Sequence, residues 1–217
     1  MNLSVLIGTC DQYSVLWEAF TKNFNKYWPH PTENIFVSET LEVPNITETN
    51  FKTVTPGKLA WGERMLQGIN ACPTDYIFFI LEDYFLKYVY SNDQINYYIK
   101  MMEQHNMDRL QISPGGNQTY EPCDINGLEK LSANSGFLIT MQPSIWSKKH
   151  LNQTLDPRYS PHDFELKGSK KLLSTNHNIY IDRSIKDPYF NAVRIGLKKS
   201  KGWEEFFKSE NLEEPGI

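Results

Sequence analysis

The chain has 217 residues, 40% of them hydrophobic and 13% aromatic, which suits one α/β domain with a real core and excludes a disordered polymer. A formal charge of −4 and an isoelectric point near 5.8 argue against a nucleic-acid binder working by general electrostatics. Three cysteines, Cys10, Cys72 and Cys123, lack C-x-x-C spacing, so they support neither a disulfide framework nor a zinc site and fit a reducing compartment.

The opening M-N-L-S-V-L-I-G-T-C carries no basic leader and reads as a first strand rather than a signal peptide. No later stretch approaches the ~18–20 apolar residues of a transmembrane helix, so the expectation is a soluble, cytoplasmic chain. Leu3 to Gly8 predicts a buried strand, broken at Gly8-Thr9-Cys10-Asp11. From Ser14, a cap-type residue, apolar side chains recur at helical spacing to Tyr27, and Trp28-Pro29-His30-Pro31 ends the helix. Asn34 to Val37 is a second strand, closing with Ser38-Glu39-Thr40. Strand, helix and strand within forty residues make a βαβ unit, hence a parallel sheet with a right-handed crossover.

Residues 41–56 read as a surface loop with one short strand near Phe51, and Lys58 to Asn70 as a helix. Tyr76 to Leu81 is a continuous apolar run, the pattern of a strand buried on both faces. Ser91 to His105 predicts a capped helix, Arg109 to Ile112 a strand, and Ser113-Pro114-Gly115-Gly116 a turn. Residues 117–130 are polar and irregular, the pattern of a mobile or substrate-facing loop; Ser135 to Met141 predicts a strand and Pro143 to Leu151 a helix. Ser160-Pro161-His162-Asp163 is a further helix start, and Asn178 to Ile181 a late strand.

Five clusters are candidates for chemistry. Glu82 and Asp83 follow the central strand directly, at the sheet edge where open α/β folds bind ligands. Two acids fixed there suit a divalent cation that in turn holds a diphosphate; the competing reading is a strand end that has reached solvent. After the first strand, Asp11 and Tyr13 suit a base or ribose, or Asp11 merely satisfies the amides of its own turn. Neither G-x-G-x-x-G nor a P-loop is present there. Lys58, Trp61 and Arg64 offer cations for phosphate and an indole for stacking, or simply a solvated helix face. In S-P-H-D-F-E, Asp163 matches a capping box while Glu165 is not needed for the cap, and acids at a helix start suit a general base. The histidines lack zinc spacing, and no G-x-S-x-G marks a nucleophilic serine. The run Lys198-Lys199-Ser200-Lys201, with Arg194 before it, is a solvated face, a closure over phosphate, or a contact with an anionic membrane.

Together these pieces resemble small bacterial glycosyltransferase-like proteins of the GT-A type, associated with surface polysaccharide (lipopolysaccharide or capsule) synthesis. The carrying blocks are G-T-C-D-Q-Y-S-V-L-W with a later K-Y-W-P, W-G-E-R-M-L-Q-G-I with F-F-I-L-E-D-Y-F, S-I-W with S-P-H-D-F-E-L-K-G-S, and P-Y-F-N-A-V-R-I-G-L-K. The resemblance implies a single GT-A-like (Rossmann-like) domain over 1–217, its mostly parallel central sheet flanked by helices. Residues 1–86 would form the nucleotide-sugar-binding half and 87–217 the acceptor-binding half. It implies a hexosyltransferase-type enzyme moving sugar from a nucleotide-diphosphate sugar to a saccharide or lipid-linked saccharide, inverting, and peripheral at the inner membrane. The alternatives are a non-catalytic nucleotide- or glycan-binding domain, a retaining transferase, and a nucleotidyltransferase, the last disfavoured by the missing G-x-G-T-R type of glycine-rich loop. Donor contacts would fall to Thr9, Asp11, Tyr13, Glu39, Lys58, Trp61, Arg64, Arg194 and Lys198, and catalysis to Asp163 and Glu165. Mn2+ or Mg2+ would sit on Asp83 and Glu82, although Tyr84 stands where the family's D-x-D motif has its second acid.

Overall fold

The computed structural model describes residues 1–44, 51–114, 117–194 and 196–217. Strands β1 (Leu3–Gly8) and β2 (Glu33–Val37) pair in parallel across helix α1 (Trp17–Tyr27), the expected βαβ unit. A 3-10 turn, Asp11–Leu16, precedes α1, so Ser14 is not its cap. Strand β3 (Phe51–Val54) extends the sheet beside β2. Helix α2 (Trp61–Ala71) leads into β4 (Tyr76–Leu81), which pairs in parallel with β1.

The chain then turns through Glu82-Asp83 into the short β5 (Tyr84–Leu86), and α3 (Asn92–Gln104) follows with Ser91 accepting a hydrogen bond from the Gln94 amide. Next come β6 (Arg109–Gln111), β7 (Tyr120–Pro122), β8 (Leu128–Leu131), β9 (Ser144–Ser147) and α4 (Lys148–Thr154). A continuous helical run comprises α5 (Pro161–Asp163), a π-helical turn (Phe164–Gly168) and α6 (Ser169–Leu173). The chain closes with β10 (Ile179–Asp182), β11 (Tyr189–Asn191), β12 (Val193–Arg194), β13 (Lys198–Lys199) and α7 (Trp203–Glu210).

The nine-stranded sheet has the order β3-β2-β1-β4-β9-β6-β10-β8-β7. Strands β1 to β4, β6, β7 and β10 run one way; β8 and β9 run the other. Side chains of the central strands alternate between two cores. Val5, Ile7, Phe78 and Ile80 face α1, α3 and α7, where Trp28 stacks on Phe78 with centroids 4.6 Å apart. Leu6, Ile77 and Phe79 face α2, α4 and the 161–173 run through Met65, Ile69, Leu151 and Phe164. Burial on both faces is why β4 reads as an unbroken apolar run.

Three expectations change. Residues 143–151, read as a helix, contain β9, inserted antiparallel between β4 and β6, before α4 begins. Ile145 and Trp146 point to opposite cores, an alternation too short to distinguish from helical spacing in sequence. Residues 135–141, read as a strand, form none. Their backbone donors are taken by the helical run instead: Ser169 Oγ accepts from the Leu138 and Ile139 amides at 3.1 and 2.9 Å, and Glu165 Oε1 from the Met141 amide at 2.8 Å. Residues 117–130, read as an irregular loop, hold the β7–β8 hairpin at the sheet edge. Within the loop read over 41–56, residues 45–50 lie outside the described residues, as do Gly115-Gly116 of the turn and residue 195 of the closing segment.

Helix α2 lies close on the sheet at Gly68, where a Cβ would run into Val37 and Leu6. Alanine ordinarily stabilises a helix interior by ~1 kcal/mol over glycine. Here overpacking dominates, so Gly68→Ala is expected to lower unfolding free energy by ~1–3 kcal/mol in urea titrations. The exposed neighbour Gln67→Ala should be neutral within about 0.5 kcal/mol.

Candidate functional site

The carboxyl ends of β1, β2 and β4 meet at one edge of the sheet. After β1, the Thr9 amide donates to the Val37 carbonyl at 2.9 Å, and the Thr9 hydroxyl accepts from the Trp17 indole at 2.9 Å. Asp11 then stitches this loop to the one after β2. Its carboxylate accepts from the amides of Glu39, Thr40 and Leu41 at 3.1, 3.0 and 3.2 Å, and from the Thr40 hydroxyl at 2.5 Å. Its slight burial works in the opposite direction, but the Thr40 hydroxyl and these amides hold the carboxyl down at about 2.

Helix α2 contributes Arg64, which is 4% exposed although charged. Its Nη1 donates to the Thr9 carbonyl at 2.6 Å, and Nη2 lies 3.7 Å from Glu39 Oε1. Arg64 thus ties both loops to α2 beneath the edge. Trp61, one turn earlier, rests its ring against Phe79 and Phe164, with centroids 6.4 and 5.8 Å away.

Glu82 and Asp83 form the turn after β4. The returning chain pins it: Asn191 pairs with Tyr84, and the Ala192 amide donates to the Asp83 carbonyl at 2.8 Å. Glu82 is 5% exposed, and the enclosed Asp83 Oδ1 has no hydrogen-bond partner. Burial, then the Asp83 charge, push the Glu82 carboxyl well above the usual range. Burial pushes Asp83 up to about 7. Burial, then the charges of Glu82 and Asp83, raise the Tyr13 phenol above its ordinary range.

These parts enclose a cavity of about 740 Å³. It brings together Thr9, Tyr13, Glu39, Trp61, Arg64, Glu82, Asp83, Arg194 and Lys198 from the sequence-derived set. Gly8, Cys10, Leu81, Pro161, Asn191 and Val193 complete the wall. Asn191 carried no motif of its own; its one signal was its place in the closing block just before Arg194. Four expected residues do not line it. Asp11 makes the turn-amide bonds above, and Lys58 is exposed ahead of α2. Asp163 caps its helix, exchanging bonds with Ser160, and its Oδ1 lies 2.8 Å from Lys167 Nζ. Those contacts, led by Lys167, hold its carboxyl at about 2. Glu165 holds the Met141 amide. Pro161 nonetheless brings the start of their helix to the cavity wall.

Among the described residues no group of three His, Cys, Asp or Glu side chains is assembled as a metal cage. The two carboxyls still fit a Mn2+ or Mg2+ ion. They are adjacent hard-oxygen donors, one with an enclosed, unpartnered oxygen, and such ions commonly take one or two carboxylates plus ligand phosphates. Among the described residues no helix is long and apolar enough to cross a membrane.

No protein-family model and no curated relative matches the sequence. Among solved structures, TarS from S. aureus superposes with a TM-score of 0.59 at 14% identity, over 96% of this chain and 38% of that one. TarS 1–349 in complex with UDP-GlcNAc gives 0.50 at 13% identity, over 86% and 60%. The bifunctional IspDF from Campylobacter jejuni gives 0.53 at 14%, over 98% and 55%. This chain therefore corresponds to only part of each. At such identities the likeness is one of fold: a GT-A-like α/β domain with a mostly parallel sheet between helical layers.

Proposed function

We propose that the protein is a nucleotide-sugar-dependent glycosyltransferase that transfers a sugar to a hydroxyl of a saccharide acceptor, with inversion, in cell-surface polysaccharide synthesis. The observation that carries this is the composition of the cavity wall, where an acidic turn and a basic ribbon face one opening. Arg194 and Lys198 are direct cross-strand partners in the β12–β13 ribbon. Like charges so placed repel, and a diphosphate between them removes the cost. TarS structures in complex with UDP-GlcNAc and with UDP, on a similar fold, favour a uridine nucleotide as the first donor to test.

In this reading residues 1–86 serve the donor and 87–217 the acceptor. Tyr13 and Trp61 offer rings for the nucleoside, Thr9 and Glu39 polar atoms for the ribose, and Arg194 and Lys198 charge for the diphosphate. Arg64 acts from below by fixing the loops of Thr9 and Glu39. Asp11 acts the same way, and Lys58 meets the donor only at the outer rim. Glu82 and Asp83 would hold a divalent cation, which when bound supplies charge to the departing nucleoside diphosphate. A carboxylate accepts the acceptor's hydroxyl proton as that oxygen bonds the anomeric carbon and the glycosidic phosphate bond breaks. Asp163 and Glu165 are the candidates for that base. Lys167 and the cap with Ser160 lower the basicity of Asp163.

One observation favours a second reading, a domain that binds nucleotide or glycan without turnover: both base candidates already make structural hydrogen bonds. Turnover separates the two. Asp83→Ala should lower transfer at least ~100-fold, and so should one of Glu165→Gln and Asp163→Ala, whichever removes the carboxylate that takes the proton; near-normal turnover in both would remove this base from the mechanism. Binding of every nucleotide sugar without transfer, with Mn2+ and a panel of acceptors, would favour the second reading.

Donor binding is expected to raise the melting temperature in a panel of nucleotide sugars. Arg194→Ala with Lys198→Ala should weaken Kd about tenfold or more by calorimetry.

The acidic turn makes a pH prediction. Half-buried Asp83, with one carboxyl oxygen enclosed, is pushed up to about 7, whereas the unfolded chain releases its proton near 3.8, so its ionisation opposes folding. Wild-type stability should therefore fall as pH rises from about 4 through about 7. Asp83→Asn should remove much of that slope, gaining ~1–2 kcal/mol over wild type at pH 8 and little at pH 4. Added Mn2+ should stabilise the wild type at pH 8 and leave Asp83→Asn nearly unmoved.

A further inference from the structure

Charge is unevenly divided in this protein. Residues 148–177 hold six basic residues (Lys148, Lys149, Arg158, Lys167, Lys170, Lys171) and three acids (Asp156, Asp163, Glu165), a net of +3. The whole chain is −4, so the remainder carries −7. The three acids are engaged: Asp156 with Arg158, Asp163 with Lys167, and Glu165 with the Met141 amide. Lys149, Lys170 and Lys171 are exposed, with Lys167 at 60%. Lys171 donates to the Gln153 carbonyl at 2.6 Å, which joins α4 to the 161–173 run as one surface.

That surface is also apolar at two points. The run buries Phe164, Gly168, Ser169 and Leu172 and turns Leu166 and Leu173 outward, at 37% and 61% exposure. Leucines standing in water among lysines, on an otherwise acidic protein, match the two demands of an anionic lipid surface, headgroup charge outside and hydrocarbon within. A soluble polyanion would use the lysines and leave the leucines unexplained.

We propose that the face formed by α4 and the 161–173 run docks on an anionic phospholipid bilayer, with Leu166 and Leu173 in the interface and Lys149, Lys170 and Lys171 among the headgroups. Pro161 begins the run and lines the cavity, so docking would hold the opening beside the lipid. On the transferase reading, on which this last step rests, the acceptor is then a lipid-linked saccharide.

The test is pelleting of the full chain with vesicles of phosphatidylcholine alone or with 30% phosphatidylglycerol, without nucleotide. Each lysine near such a surface is worth about fivefold in partitioning, so anionic vesicles should bind at least ~10-fold more protein. Lys170→Glu with Lys171→Glu should return binding to the neutral level. Leu166→Ser with Leu173→Ser should lower it at least ~3-fold. Lys100→Glu, on the exposed face of α3, should leave it unchanged. Variant melting temperatures within about 2 °C of wild type verify folding. Equal binding to both vesicles overturns the proposal, as does binding indifferent to the leucine pair. So does a wild-type dimer in sedimentation velocity that Leu173→Ser dissolves, which would give the leucines to a second copy. Donor calorimetry is read separately, so failure to dock leaves the cavity's reading standing.

Discussion

The enclosure of two neighbouring carboxyls at the end of β4 is the constraint around which the site is built. Glu82 and Asp83 cannot both ionise cheaply out of water and beside each other. A fold that needed only a stable turn would place polar residues in solvent there. Instead the closing segment comes back to cover the turn, with Ala192 bonded to its backbone and Asn191 paired with Tyr84. The energetic cost is concentrated where the cavity opens.

The rest of the edge is stiffened by bonds that reach across sequence. Arg64 grips the Thr9 carbonyl and approaches Glu39, and Asp11 binds three successive amides of the neighbouring loop. Neither residue needs to touch a ligand to matter. A side chain locked from behind holds the groups in front of it to a narrower range of positions.

Much of this was legible because the signals were local. The apolar run of β4, the βαβ spacing and the Ser91 and Ser160 caps each follow from a few adjacent residues. So did the cavity members that end strands or follow glycine. What sequence concealed depended on partners far along the chain. Residues 144–147 are a strand because β4 and β6 flank them, and residues 135–141 are not, because Ser169 and Glu165 answer their amides. That last bond is also what an acid-rich helix start cannot disclose: a carboxylate free on paper is engaged in space. The like-charge pairing of Arg194 with Lys198 was hidden for the same reason, since cross-strand register is not written in either strand alone.

The insertion of β9 between β4 and β6 bears on how the molecule is made. Until residue 147 has been added, β4 exposes one unpaired backbone edge, an arrangement prone to sticking to other chains. Its proper neighbour comes more than sixty positions later and runs the opposite way. The nascent N-terminal strands therefore wait, unsatisfied, for a piece of the other half, and the two halves of the sheet can be completed only together.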